Sequence, residues 1–537
     1  MQLIERNFMG IGLFSRQTKG FGALLALVSS ACAFLPVEEI SPHFTEGDAT
    51  PVFSAGYGYI SERFIENVNI GDLTVNGLEG LTAIDPQLDV SRNGDYVNLS
   101  LGNSFLGSIP APSDNDTKAW ADLTVEMIEN SRIVSTPLLE MQAEDIYSNI
   151  FQNMVAELDG FSRYASAIEA RRNRATRDGF GGIGVQILVD ADEVLVVSVL
   201  PGTPAEEKEL QDNDRITHID DEPVAGLTIR DVVSRLRGKI GSDVTVTINR
   251  DDSDSTFSVT LSRRLIVGVT VTHKIMDDLG YIRITSFNKR TSKSLKNVLA
   301  EMEPAIETGE IKGIILDLRS NPGGLLDQAV EVADLFLTKG TIVSTNGRHP
   351  DSNQSFFAGE DDKAQNFPLA VLINGNTASA AEIVAAALQD HGRAVVMGSN
   401  SYGKGTVQNV ITLPNNGELT LTWSRFHAPS GYTLHDLGVL PTICTSRENI
   451  DNAGKENAEF VRRLKKLHAG VVVSEAVFSQ WRAEKLPNKE SIEKLRAICP
   501  SRKKTSDQDI DVAKQLLSEP TIYNRAMNLS FPAIANR

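Results

Sequence analysis

The stretch NGNTASAAEIVAAALQDHGRAVVMGSNSYGKGTVQ, residues 374–408, decides how the rest of this 537-residue chain is read. Its lead-in, FPLAVLIN (367–374), is a continuous apolar run that predicts a buried strand. GNTA predicts a tight turn, and SAAEIVAAALQD, rich in Ala and Leu, predicts a helix starting at Ser379. Ser379 therefore belongs to a strand–turn–helix junction, its hydroxyl exposed and the backbone N–H of Ala380 pointing the same way. RAVVMG (393–398) predicts a second buried strand. The glycine-flanked Lys404 follows it and can fold back toward the helix start.

A serine hydroxyl is a poor nucleophile until a neighbouring base takes its proton. A lysine can be that base only where burial lowers its pKa toward working pH. Taken alone, Ser379 reads as an ordinary helix N-cap and Lys404 as a loop charge. Two rival sites in the same stretch fail on geometry. In a Ser379–Asp390–His391 triad, one helix would hold Ser379 and His391 roughly 18 Å apart. Gly398 to Lys404 fits the opening of a nucleotide-binding P-loop, but Gly405 stands where that motif needs Ser or Thr, and TVQNVITL predicts a strand rather than a phosphate-binding helix.

Beyond these two residues, five ordered blocks carry a longer resemblance: GYIRITSF (280–287), GIILDLRSNPGG (313–324), INGNTASAAEIVAAALQDHGRAVVMG (373–398), YGKGTVQ (402–408) and LTLTWSRFHAPSGYTLHDLGVLP (419–441). Together they resemble the catalytic domain of the C-terminal processing peptidases, serine proteases that use a Ser–Lys pair. The resemblance implies Ser379 as nucleophile, Lys404 as general base and Gln408 as the residue that orients it. It also implies an oxyanion hole from Gly323 and Gly324 of the Asn-Pro-Gly-Gly loop, together with Ala380. Two preorganised backbone donors stabilise a tetrahedral oxyanion well, and the start of the helix adds partial positive charge. Asp317 and Arg319 read as a structural ion pair shaping the glycine loop in preference to direct catalysis, and Glu382 as a first-turn helix cap in preference to a residue that orients the loop.

The implied fold is α/β, a crotonase-like or ClpP-like catalytic core with an inserted PDZ domain and helical N- and C-terminal regions. The expected divisions are a signal peptide (1–33), a mostly helical N-terminal region (34–175), the PDZ domain (176–264), the protease domain (265–444) and a helical C-terminal extension (445–537). GFGGIGVQILVD (179–190) resembles a PDZ carboxylate-binding loop and first groove strand, and TIRDVVSRLRG (228–238) the groove helix. Gly182, Ile183 and Gly184 are then the expected donors to a peptide's terminal carboxylate, the peptide adding as a β-strand. Asn213 stands where the PDZ pattern usually has glycine. In the N-terminal region, 59–91 faintly echoes 144–164, with GSIPAPSDNDT (107–117) reading as a linker between the copies.

The formal charge of −18 disfavours nucleic acid as a partner, since sequence-independent binding needs basic patches. Basic residues followed by GFGALLALVSSACAFL (20–35) predict a secretory signal and an envelope or periplasmic location. A lipid anchor on Cys32 is the weaker option, because Ser29 stands where a lipoprotein signal usually has leucine. Cys32 lies at that boundary, so Cys444 and Cys499 remain as a pair in an oxidising compartment and predict a disulfide. Neither metal nor nucleotide motif occurs, so no cofactor is expected. The expected partners are proteins or peptides with accessible C-termini, with an adaptor protein as a further candidate. Two other functions compete: a proteolytically silent PDZ scaffold, and an acyl hydrolase on the same core.

Overall fold

The computed structural model describes residues 43–190, 193–250, 256–359, 362–364, 367–446, 473, 475–483 and 488–530. The expected signal segment and Cys32 lie outside these residues.

The catalytic region is built on a six-stranded sheet. In spatial order it runs Val271–Met276, Leu279–Ile284, Gly313–Asp317, Leu369–Ile373, Val395–Gly398 and Ile443–Cys444. The first two strands form an antiparallel hairpin and every later pairing is parallel. Strands covered on both faces lose the alternation of polar and apolar residues, and GIILD, LAVLI and VVMG are buried at every position. Alternate residues still part to opposite sides. Ile314, Leu316, Val371, Ile373 and Val396 join the core under helices Thr291–Glu307, Leu326–Asp334 and Ala380–Asp390. Ile315, Ala370, Leu372, Val395 and Met397 meet Val512, Leu516, Leu517 and Tyr523 of the C-terminal helices Asp507–Ser518 and Pro520–Ser530. The C-terminal extension is thus the second layer of the catalytic sheet.

Cys444 and Cys499 form a disulfide with Cα atoms 5.8 Å apart, clamping that layer to the last strand. A closed loop of this length is worth about 4 kcal/mol in the chain-entropy account.

The N-terminal region packs helices Glu46–Arg63, Ile70–Glu79, Thr117–Val134 and Ala143–Ala156 around Phe53, Tyr57, Trp120 and Phe151. Its mostly helical reading needs a correction at 88–110. Leu88–Asn93, Tyr96–Leu101 and Ser104–Pro110 form a three-stranded antiparallel sheet, so the expected linker at 107–117 begins as strand, through Pro110. The faint internal echo does not survive either. Residues 59–63 end a helix that stops at Arg63, whereas 144–156 lie within a complete one. Arg163–Ala165 then pairs with Glu418–Thr420, and Leu413, Leu419 and Leu421 of that catalytic hairpin complete the N-terminal core.

Residues 180–262 contain a twisted sheet in the order Thr256–Ser262, Asp243–Asn249, Arg215–Ile219, Glu193–Val199, Val185–Asp190, with helix Ile229–Leu236 beside the last strand. Asn213 keeps the turn that a glycine would ordinarily make, at φ +73°, a conformation Asn tolerates better than most side chains. Among the described residues no helix is long and apolar enough to cross a membrane.

Candidate active site

Three loops meet at the C-terminal ends of the parallel strands, where open α/β sheets place their ligands. One carries Ser320 to Gly324, one Asn374 to Ser379, and one Ser399 to Gly405. The middle loop is a closed hydrogen-bonded turn: Asn374 N–H donates to Thr377 Oγ1 at 2.9 Å, and Thr377 Oγ1–H to Leu318 O at 2.9 Å. Ser379 leaves that turn at φ +56°, ψ −120°. This region is strained for any residue with a Cβ, and a serine held in it at a strand-to-helix elbow is presented outward.

Glycine at 323 follows from that placement. A Cβ there would stand 2.8 Å from Ser379 Cβ, and one on Gly324 would overlap Phe287 O at 2.1 Å. The Gly323 N–H is donated to Asn321 Oδ1 at 2.9 Å, while Ala380 opens the helix directly beyond Ser379.

Glu382, one turn into the helix and fully buried, joins the other two loops. Its Oε2 accepts the Ser379 N–H at 2.7 Å and the Lys404 N–H at 2.9 Å. Its Oε1 accepts the Ser401 hydroxyl at 2.5 Å and the Gly403 N–H at 2.7 Å. The cap reading of Glu382 is therefore incomplete: one carboxylate caps the helix and also ties the Ser379 turn to the Lys404 loop. Burial pushes its pKa up, against the pull of those four donors. First-turn position was the only sequence signal; the second role depends on where residues 399–405 fold.

Ser379, Ala380, Lys404, Gln408, Gly323 and Gly324 line one cleft of about 470 Å³, with Ile383, Leu326, Val407 and Phe426 among its apolar walls. A neighbouring depression of about 350 Å³ continues it past Gln408 to Trp423. No hydrogen bond joins Ser379 to Lys404 or Lys404 to Gln408. The Gln408 amide instead donates to Thr406 Oγ1 at 2.8 Å and to Thr422 Oγ1 at 3.4 Å. Catalytic hydrogen bonds are often long or unmade until substrate is seated. Asp390 and His391 of the rejected triad face elsewhere: Asp390 accepts from Ser430 and Arg482, and His391 Nε2 meets Thr341 O.

Lys404 Nζ lies 5.2 Å from the centre of the Phe161 ring. Asp159 Oδ1 accepts the N–H groups of Phe161 and Ser162 at 2.9 and 2.6 Å and so shapes the turn that presents the ring. Burial lowers the Lys404 pKa, the positive charge of Arg163 lowers it further, and Asp159 and Glu382 oppose. The neutral amine therefore becomes available below the usual lysine range, and activity that needs it rises with pH. Replacing Phe161 by alanine rehydrates the ammonium, so the rising limb of the kcat/KM profile is expected to move to higher pH. An unchanged limb would show that the ring does not set the lysine's state. The contribution of Phe161 was not visible in the sequence, since nothing local links it to a residue 243 positions away (404 − 161).

The PDZ region forms a second groove, of about 230 Å³, between Val185–Ile187 and the helix residues Val233 and Leu236. Gly182, Ile183 and Gly184 lie along it. The carbonyls of Ile183 and Gly184 accept from Ala205 and Leu200 N–H at 2.9 Å each. Arg237 also lines this groove, its guanidinium 3.7 Å from the centre of the Phe180 ring, and burial lowers its pKa. The sequence reading did not single it out, although it closes the groove helix.

The family model for peptidase family S41 matches residues 278–445, and the PDZ domain model residues 181–261. A carboxy-terminal-processing protease of Bartonella bacilliformis is 39% identical over 301 residues, the match covering 56% of this chain and 69% of that protein. A carboxyl-terminal-processing protease of Synechocystis is 34% identical over 307 residues, 56% of this chain and 70% of the relative. The carboxy-terminal processing protease CtpB of Bacillus subtilis is 30% identical over 365 residues, 66% of this chain and 74% of that protein.

Proposed function

The chain belongs to peptidase family S41 and is a serine-type, PDZ-containing protease of the carboxy-terminal-processing kind; from that premise we propose that Ser379 and Lys404 cut polypeptides at or near their C-termini. The observation that carries this reading is a half-buried lysine of lowered pKa in the same cleft as a serine held at a strained helix start. Neutral Lys404 takes the Ser379 proton as Oγ attacks the scissile carbonyl carbon. The resulting ammonium gives that proton to the leaving amine, and the same lysine then activates the water that cleaves the acyl-enzyme. Ala380 N–H supplies one oxyanion donor, and the Gly323–Gly324 loop the other once substrate draws the Gly323 N–H from Asn321 Oδ1. Gln408 orients the lysine once substrate displaces its threonine contacts.

The PDZ groove binds peptide, and we infer that it reads the terminal carboxylate, received by the N–H groups around Gly182, Ile183 and Gly184 and by the Arg237 charge. Residues 1–33 are proposed as a cleaved export signal to the periplasm or cell envelope. The Cys444–Cys499 disulfide supports this, since such bonds persist in oxidising compartments. A PDZ groove beside the cleft favours a polypeptide over a small thioester, and the Ser379–Lys404 pair argues against a silent scaffold.

Amidating a substrate's C-terminus removes the charge that the groove would receive. Amidated peptides are expected to bind the isolated groove face of the full-length Ser379→Ala protein roughly tenfold more weakly, the scale of one lost charge-assisted contact. Cleavage by the parent enzyme, followed by mass spectrometry, should slow in step. Equal affinity and equal rates for both forms would remove the carboxylate-reading role.

A further inference from the structure

The three catalytic loops hang from three different strands, yet one segment outside the S41 match touches them all. Gly375 N–H donates to Arg502 O at 2.9 Å, and Asn374 Nδ2 and Asn376 Nδ2 to Lys503 O at 3.0 and 3.1 Å; these hold the nucleophile turn. Arg319, at the root of the glycine loop, donates through Nη1 to Ser506 O at 2.6 Å and to Asp509 Oδ2 at 3.1 Å. On the lysine loop, Arg502 N–H donates to Ser399 Oγ at 3.0 Å, and Arg496 Nη2 to Ser401 O at 2.9 Å.

Asp509 is the hub of this segment. It is fully buried, pairs with Arg319 on one oxygen, and on the other accepts from Arg502 and from Thr445 Oγ1, each at 2.6 Å. Arg319 in turn holds the buried Asp317, whose carboxyl burial would push up but hydrogen bonds from Arg319 and Tyr281 hold low. The Cys444–Cys499 disulfide fixes the segment's start. A segment serving only as a cover would need apolar contacts to the sheet, which helices 507–518 and 520–530 already make. Cys499 and Ile498 also join the core, but the contacts of residues 496–509 with the loops are directed hydrogen bonds.

We propose that residues 496–509 are a positioning brace for catalysis, with Asp509 as its central positioning residue, holding the glycine loop, the nucleophile turn and the lysine loop in register from behind. The proposal rests on the Ser379–Lys404 reading of the cleft. A displacement of about 1 Å at a reacting group costs on the order of a hundredfold in rate. The brace therefore acts on kcat, and the PDZ groove, which it does not touch, keeps its affinity.

The test uses the full-length chain, assayed well below its melting temperature. Asp509→Asn is expected to lower kcat about ten- to hundredfold and to slow acylation of Ser379 by a fluorophosphonate in parallel, with KM and C-terminal peptide binding within about twofold. A residue with only a structural role would lower the melting temperature and leave kcat of the folded protein unchanged; that outcome overturns the proposal. If Asp509→Asn does not fold, Asn376→Ala and the Cys444→Ser/Cys499→Ser double variant decide. Lower kcat and acylation rate in both support the brace, and parent values in either overturn it. Ser379→Ala and Lys404→Ala run alongside: turnover surviving in them refutes the site reading itself, whereas loss there with intact Asp509→Asn turnover refutes only the brace.

Discussion

Replacing Ser379 or Lys404 by alanine is expected to lower kcat by roughly 10⁴-fold or more, and the double variant to lose little beyond either single one. Nucleophile and base act as one unit, so removing either forfeits the whole covalent route. Lys404→Arg separates chemistry from charge: a guanidinium keeps the positive charge but does not deprotonate in proteins. It should be as inactive as Lys404→Ala. Ser379→Gly adds a second signature. Glycine adopts φ +56° without the cost a side chain carries there, so this variant should be inactive yet more stable by about 1 kcal/mol in urea unfolding. Substantial turnover by purified Lys404→Arg would exclude the lysine as base.

The second large effect is expected at Glu382. Its carboxylate accepts from Ser379 N, Lys404 N, Gly403 N and the Ser401 hydroxyl in a fully buried site. Glu382→Ala leaves those donors without a partner, a loss on the order of 3–5 kcal/mol in stability. It also uncouples the nucleophile turn from the lysine loop, so kcat in the folded fraction should fall about a hundredfold. Glu382→Gln preserves the shape but turns an amide NH₂ toward N–H donors, so it should recover only part of either quantity. Stability and kcat measured together on both variants check this. Parent kcat in a destabilised Glu382→Ala would reduce Glu382 to a helix cap.

Much of the candidate site was legible because its chemistry is locally encoded. A buried strand, a tight turn and a helix in sequence place Ser379, and the glycines around Lys404 and at 323–324 mark close backbone approach. Gln408 was assigned by resemblance, and its present threonine contacts could not be read from residues that become neighbours only when the hairpin 406–427 closes. The sheet at 88–110 was missed for a different reason. Its strands are short and half-exposed, with Phe105 and Leu106 facing solvent, so apolar alternation is weak there. Position along the chain also hid Phe161, whose ring meets Lys404 only after Arg163–Ala165 pairs with Glu418–Thr420.

By itself, then, the sequence determined which segments are strand, turn and helix in the catalytic core and the Cys444–Cys499 pairing, because propensity, glycine placement and cysteine parity act over short range or by elimination. The PDZ order and the proposed roles of Ser379 and Lys404 came from resemblance to a family. Only the tertiary structure decided what covers the second face of the sheet, which ring lies against the lysine, and which carboxylates, Glu382 and Asp509, bond to the loops. Those depend on contacts between distant residues, 190 positions apart for Arg319 and Asp509 and 243 (404 − 161) for Phe161 and Lys404. Hydrogen bonds of that kind have no periodicity to read, and they exist only once the chain is packed.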